Sequence, residues 1–389
     1  MKVLTAQSTK LNAKEAVLEL KQKLNCNSEA NNSKANNSEK SSIKALTFFA
    51  SSNYNSAELI AAMNEIFPNT QVFGCSTAGE IISGNACNKG GMYSNSIVAM
   101  AFTDEIVEDI KVEVVDELKN LNLMPAIKSF EDYYQSPFHK LDDTKYFGLI
   151  YMDGLSCKEE TILETLGDYT NVVFVGGSAG DDLKFEKTII YANGKYYDNA
   201  AVLVLIKSKV GFSFEKIQSF IPTEHTVTAT KVDEDNRIIY ELDNKPAAEV
   251  YANILNTTVE DAPNHFADAC LGLMIDDKPY IRSIQKMIDN KALLMYCNVK
   301  NNAELKIVKA GNIIADTKKS IEDFKNKYKS ISGMLIFDCI LRRIELQNKN
   351  LLDDYMTVCS DIPTVGFSTY GEALIGHINQ TATFLVLQA

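Results

Sequence analysis

Residues 45–80 read "ALTFFASSNYNSAELIAAMNEIFPNTQVFGCSTAGE". The opening apolar run, 45–50, is short enough for a buried strand. Asn55 can cap a helix, Glu58 follows three positions on, and Leu59, Ile60, Met63 and Ile66 recur at helical spacing. A second apolar run then enters the heptad "GCSTAGE", residues 74–80. The stretch therefore predicts strand, helix, strand and a glycine-bearing loop.

The same order returns twice. In "YFGLIYMDGLSCKEETILETLGDYTNVVFVGGSAGDD", residues 146–182, the strand is 147–152, Ser156 and Glu159 have capping-box spacing, Ile162, Leu163 and Leu166 form the stripe, and 172–175 is the next strand. It ends in "GGSAGDD", 176–182. Residues 332–372, "SGMLIFDCILRRIELQNKNLLDDYMTVCSDIPTVGFSTYGE", repeat the order and end in "GFSTYGE", 366–372. After each heptad and a variable loop comes another apolar strand, at 96–102, 200–206 and 381–387. Matching order around matching loops is the signature of internal duplication.

Between the repeats, "TVTATKVDEDNRIIYELDNKPAAEVYANIL" predicts two strands joined at "DEDN" and followed by a helix, and "PYIRSIQKMIDNKALLMYCNV" predicts a hairpin turning near "DN". At 389 residues the chain exceeds one ordinary core. The expected fold is α/β, a mixed-sheet α+β protein of two domains built from strand-helix-strand-loop-strand units. An N-terminal helix and low-complexity loop would occupy 1–43 and the domains 44–255 and 256–389. The helix is marked by Ala16, Val17, Leu20 and Leu24, and the polar tract 25–42, "NCNSEANNSKANNSEKSS", predicts a mobile loop.

A formal charge of −12 argues against nucleic acid or an anionic membrane as partner. No apolar run is long enough to span a bilayer and the start lacks a leader pattern, so a cytoplasmic protein without membrane insertion is expected. Eight scattered cysteines show no Cys-x-x-Cys pair and read mostly as small buried hydrophobes.

A loop of Gly-x-Ser-Thr-x-Gly-Glu type presents a tight turn, hydroxyls and an acid, which suits a small polar ligand or simple local bracing. Gly176–Gly180 also matches the Gly-x-Ser-x-Gly nucleophile elbow, making Ser178 a serine-hydrolase candidate with His225, His265 or His377 as base. The helix that motif requires is missing, because "LKFEKTIIYANGKYYDNAAVLVLI" reads as strand, turn at Asn193-Gly194, strand. No phosphate-binding glycine motif occurs. Arg282 and Arg342 lie among apolar positions and need an acid, from the protein (Glu372 for example) or from a ligand carboxylate. Cys75 and Cys339 are thiols that a cationic neighbour would activate and burial would silence.

Taken in order, "VFGCSTAGEI", "MDGLSCKEE", "VGGSAGDDLKF" and "YELDNKPAAEVY", then "YIRSI", "MLIFDCILRR", "VGFSTYGE" and "NQTATFLVL", resemble the motifs of the FIST sensory family, with its N-terminal and C-terminal FIST domains. The resemblance covers about 44–387. It implies a prokaryotic signal-transduction sensor for small ligands such as amino acids, a non-enzyme in a family often fused to kinase, cyclase or chemotaxis modules. With no such module legible, the expected partner is a separately encoded histidine kinase, diguanylate cyclase or chemotaxis protein. Some relatives are haem-dependent nitric oxide sensors. The His-Gly-Trp-like stretch expected for them is not evident in "FEKIQSFIPTEHTVTATK", where Gln218 or Ser219 stands near the expected histidine and His225 lies close by. The expected cofactor is accordingly none, with haem as the minority reading and a ligand-independent interaction platform as another.

The candidate ligand-binding set is Cys75, Ser76, Thr77, Gly79 and Glu80 from the first heptad, Ser178, Asp181 and Asp182 from the second, and Thr369, Tyr370 and Glu372 from the third, joined by Arg282, Cys339 and Arg342. No catalytic or metal-binding residue is expected.

Overall fold

A computed structural model describes residues 3–35, 42–85 and 87–389, without the side chains of 29–35. Among these residues it holds eight α-helices and 26 strands in several mixed sheets, the α/β class the repeats predict. No described helix is long and apolar enough to cross a membrane.

Each repeat builds the centre of a six-stranded sheet. The first sheet runs in space Val3–Ser8, Ile97–Thr103, Ile43–Ser51, Gln71–Thr77, Ile190–Ala192, Lys195–Tyr197. The second runs Val107–Val115, Ala201–Ser208, Tyr146–Met152, Phe174–Ser178, Glu372–Leu374, Gly376–Ile378. The third runs Phe212–Gln218, Thr381–Gln388, Ile331–Cys339, Thr364–Thr369, Glu80–Ile82, Gly91–Tyr93. In every sheet the opening strand and the heptad strand are parallel, as a strand-helix-strand unit requires, and the rest pair antiparallel.

The last two strands of each sheet are a hairpin lent by another repeat. The hairpin after the first heptad enters the third sheet, the one after the third heptad enters the second, and the one after the second heptad enters the first. Each heptad strand would otherwise expose an unpaired edge, and the cyclic exchange closes all three. Repeats one and two are thereby interlocked with the C-terminal repeat.

Inside the ring, Phe49, Tyr151 and Phe337 hold equivalent places, opposite heptad positions Cys75, Gly177 and Phe367. Their rings meet Phe367 with centroids 4.6 to 6.2 Å apart, so one aromatic core is shared by all three repeats. The leading heptad glycines Gly74, Gly176 and Gly366 are explained by close approach, since a Cβ on any of them would collide with the carbonyl of Phe48, Ile150 or Ile336 on the opening strand. Helices pack on the outer sheet faces over separate apolar layers.

The residues between the repeats form an eight-stranded sheet with its own core around Tyr251, Leu271 and Leu293, covered by the helix Ala247–Leu255. The two strands around "DEDN" and the hairpin through Asp289 and Asn290, both at positive φ, are present as expected.

Two local expectations change. The first helix does not stop at Leu24 but runs Ala13–Ala35, into the polar tract expected to be a loop. Cys26 is disulfide-bonded to Cys87, and Asn27 donates to the Thr5 carbonyl at 2.7 Å, so long-range contacts hold turns that composition alone would leave unsupported. Residues 36–41 of the tract lie outside the described residues. Ser156 and Glu159 make no capping box: Ser156 donates to the Asp153 carbonyl, and Glu159 is drawn into the site described next. Asn55 does cap its helix, accepting from the amides of Ala57 and Glu58.

Candidate ligand cleft

The three heptads meet head to tail in a ring. Ser368 donates its amide to the Gly79 carbonyl at 2.7 Å and accepts from Ala78, while Ser178 donates to Gly371 at 2.8 Å and accepts from Tyr370. Gly180 donates to the Ser76 carbonyl at 3.1 Å, which completes the circle.

Most of the expected ligand contacts are spent on this ring. Glu80 accepts from Thr77 Oγ1 on one oxygen, and from the Ser96 amide and hydroxyl on the other at 3.2 and 2.6 Å. Glu372 does the same with Thr369 and with the Thr381 amide and hydroxyl, again at 3.2 and 2.6 Å. Both are wholly buried, and burial outweighs the hydroxyl donors, raising Glu80 to about 7 and Glu372 to about 8. Ser76 Oγ donates to the Gly180 carbonyl and accepts from the Ile189 amide. Cys75 lies in the aromatic core, and burial pushes its thiol, like that of Cys339, well up. Gly79, at φ 128°, leaves room for the Arg343 guanidinium laid against it.

The second heptad departs from this scheme, having Ala179 where the others have threonine. Asp181 Oδ2 accepts from the amides of Glu186 and Lys187, and Oδ1 from the Phe185 amide and the Tyr370 hydroxyl. Burial opposes its charge, but these donors prevail and hold the carboxyl below its ordinary range. Asp182 turns outward and accepts from Ser52 at 3.0 Å.

Above the ring, at the carboxyl ends of the parallel strand pairs of the second and third repeats, lies a cleft of about 330 Å³. Gly154, Leu155 and Cys157 form one wall and Leu183 and Phe185 another, while Cys339, Ile340, Leu341 and Ile344, Tyr370, and Arg237 with Tyr296 from the eight-stranded sheet complete it. Phe185 stacks on Tyr370 with centroids 5.1 Å apart.

Behind the wall, Arg237 leads into a chain of buried charges that does not itself line the cleft. Arg237 Nη2 bonds Glu159 at 2.8 Å and Glu160 at 2.6 Å, and Nη1 donates to the Tyr296 carbonyl. Glu160 accepts from the Asn298 amide and faces His377 Nδ1 at 3.2 Å. Burial opposes its charge, but His377, Arg237 and the Asn298 amide lower it strongly. Glu159, Glu160 and His377 bring possible metal-ligand atoms within 4.8 Å, although Arg237 already bonds both carboxylates. Among the described residues no histidine lines the cleft, so a haem seated there would lack an imidazole ligand.

Two family models match the chain, the FIST N domain over residues 44–245 and the FIST C domain over 247–374. The chain belongs to the FIST family. FIST domains are non-enzymatic signalling domains associated with signal-transduction sensing, and the eight-stranded sheet spans the junction of the two matched segments. The chain is also 22% identical over 289 residues to an uncharacterised protein of Methanocaldococcus jannaschii, covering 69% of this chain. It spans 55% of that relative's length.

Within this FIST chain the two arginines expected to meet a ligand carboxylate do not line the cleft. Arg342 is fully buried and bonds Asp338 at 2.6 Å, with Thr317 and Tyr355 nearby, so its acid is Asp338 rather than Glu372 or a ligand. Arg282 is half-buried, and its guanidinium donates to the Ile281 carbonyl. Ser178 is buried, donates to Glu159 at 3.3 Å, and has no imidazole bonded to it among the described residues. Of the expected contacts, Tyr370 and Cys339 line the cleft, and Asp181 orders its wall. Arg237, Phe185 and Leu341 were missed. Arg237 follows the "DEDN" turn and reads there as an exposed charge; only the pairing of distant strands aims it at two glutamates.

Proposed function

We propose that this FIST protein is a cytoplasmic, non-enzymatic sensor that binds a small metabolite, an amino acid or similar molecule, in the cleft beside Tyr370. The observation that carries the reading is the composite wall: second repeat, third repeat and eight-stranded sheet all contribute, so a ligand there touches parts that could shift relative to one another. The volume suits a small metabolite rather than a macromolecule. In this reading no cofactor is needed, and the signal passes to a separately encoded kinase, cyclase or chemotaxis protein.

The test is thermal unfolding of the purified full chain against a panel of amino acids and related metabolites, after an absorbance scan for haem. A ligand at 100 times its dissociation constant adds about 2.7 kcal/mol, easily read as a raised midpoint. Leu341→Trp, which fills the cleft, should abolish any hit. A hit that survives in Leu341→Trp overturns the cleft assignment, and a haem band favours the gas-sensor reading.

A further inference from the structure

Away from the cleft, three cations gather at the seam between the third sheet and the eight-stranded sheet. The strand Lys278–Arg282 is an outer strand of the eight-stranded sheet, and its alternation sets Lys278, Tyr280 and Arg282 on one face. Across the seam, Lys216 from the outer strand Phe212–Gln218 lays its ammonium over the Tyr280 ring, 3.2 Å from the centroid. Lys216 Nζ is buried and has no hydrogen-bond partner. Among the described residues none of the three cations forms an ion pair. Arg282 reaches only the Ile281 carbonyl, and Glu215, beside Lys216, is taken by Lys327 and Tyr328. Asp276 and Asp277 precede Lys278 in the turn, at positive φ.

Thr383 sits directly opposite Lys216 in the strand register, wholly buried, with its hydroxyl also unpartnered. Opposed residues of an antiparallel pair share a face, so that hydroxyl lies beside the root of the Lys216 side chain. Burial, then the fields of Lys278 and Arg282, lower Lys216 to about 8. A buried ammonium facing an aromatic ring and two further cations is costly unless an anion compensates it.

We propose that Lys216, Lys278 and Arg282, with the Thr383 hydroxyl, form a binding site for a small oxyanion, the phosphate or carboxylate group of a metabolite. None of these residues lines the cleft, so the proposal stands apart from the sensor reading. An ammonium pair and a guanidinium fork offer the charge-assisted donors such a group requires.

The full chain is titrated with inorganic phosphate and with succinate, against sodium chloride at equal ionic strength, and its thermal midpoint followed. Phosphate also stabilises proteins without binding, by exclusion from their surface, so the variants carry the decision. The expected result is a saturable rise in the wild type, with apparent Kd weakened about tenfold or more in Arg282→Gln. Lys278→Gln changes an exposed side chain that can be lost without unfolding and should weaken binding in the same direction. Lys216→Met should raise the midpoint in chloride, by removing the uncompensated charge, and flatten the oxyanion response. A response to phosphate alone, or to succinate alone, identifies the group. Superimposable curves in wild type and variants, or no rise above chloride, overturn the proposal.

Discussion

Tyr370 donates its hydroxyl to Asp181, 189 positions earlier in the chain, at 2.5 Å, and the same oxygen accepts from the Leu183 amide at 2.7 Å. One side chain of the third heptad thus organises the loop of the second and forms part of the cleft wall.

Tyr370→Phe removes that hydroxyl but keeps the ring on Phe185. Asp181 retains three backbone donors, whereas the Leu183 amide loses its partner, a cost of about 1–3 kcal/mol. Amide exchange should quicken at residues 182–187 with little change in the aromatic core, and any cleft ligand should bind more weakly. Unchanged exchange there would show that the loop is ordered without Tyr370.

The twin carboxylates Glu80 and Glu372 set a pH dependence. Their folded values, about 7 and about 8, lie above the ordinary carboxylate value, so the folded chain holds protons that the unfolded chain has released. Their contribution is complete below about pH 4.5 and is lost as pH rises towards 8, flattening beyond it. Glu372→Gln imitates the protonated form, its amide able to donate to Thr369 while its carbonyl accepts from Thr381. Denaturant midpoints from pH 5 to 8.5 should fall in the wild type and fall less steeply in Glu372→Gln.

Arg342 and Asp338 are wholly buried partners. Arg342→Met strands the carboxylate and should cost about 3–5 kcal/mol, while the double variant Arg342→Met/Asp338→Leu should recover much of that loss. Equal losses in single and double variants, read by denaturant titration, would mean that the pair itself carries net stability.

The Cys26–Cys87 disulfide, with a sequence separation of 61, ties the first helix to the loop after the first heptad. Chain-entropy reasoning gives about 4 kcal/mol for a loop of that length. A reductant should lower the thermal midpoint of the wild type and leave that of Cys26→Ser/Cys87→Ser unmoved. Mass analysis showing two free thiols at these positions in the native protein would contradict the bond.

The repeats and their elements were legible because they rest on local physics. Helical spacing from Leu59 to Ile66, the Asn55 cap and the turn at Asn193-Gly194 each act within a few residues, and the structure keeps all three. The heptad bracing was half legible: Thr77 with Glu80 and Thr369 with Glu372 lie three apart, but their further partners, Ser96 and Thr381, come after loops of variable length. Glu159 shows where local reading fails, since capping-box spacing from Ser156 lost to a buried guanidinium 78 positions away.

By itself the sequence determined three strand-helix-strand units with glycine-led loops, the α/β class and the family, all carried by spacing and order along the chain. Only the tertiary structure decided that hairpins are exchanged cyclically, that Arg237 joins the cleft, that Arg342 belongs to Asp338, and that Lys216 meets Tyr280 across a seam. Strand edges and buried charges must find partners somewhere, but any compatible group can satisfy them. Which one does so is settled by how the sheets stack, not by what stands next in the chain.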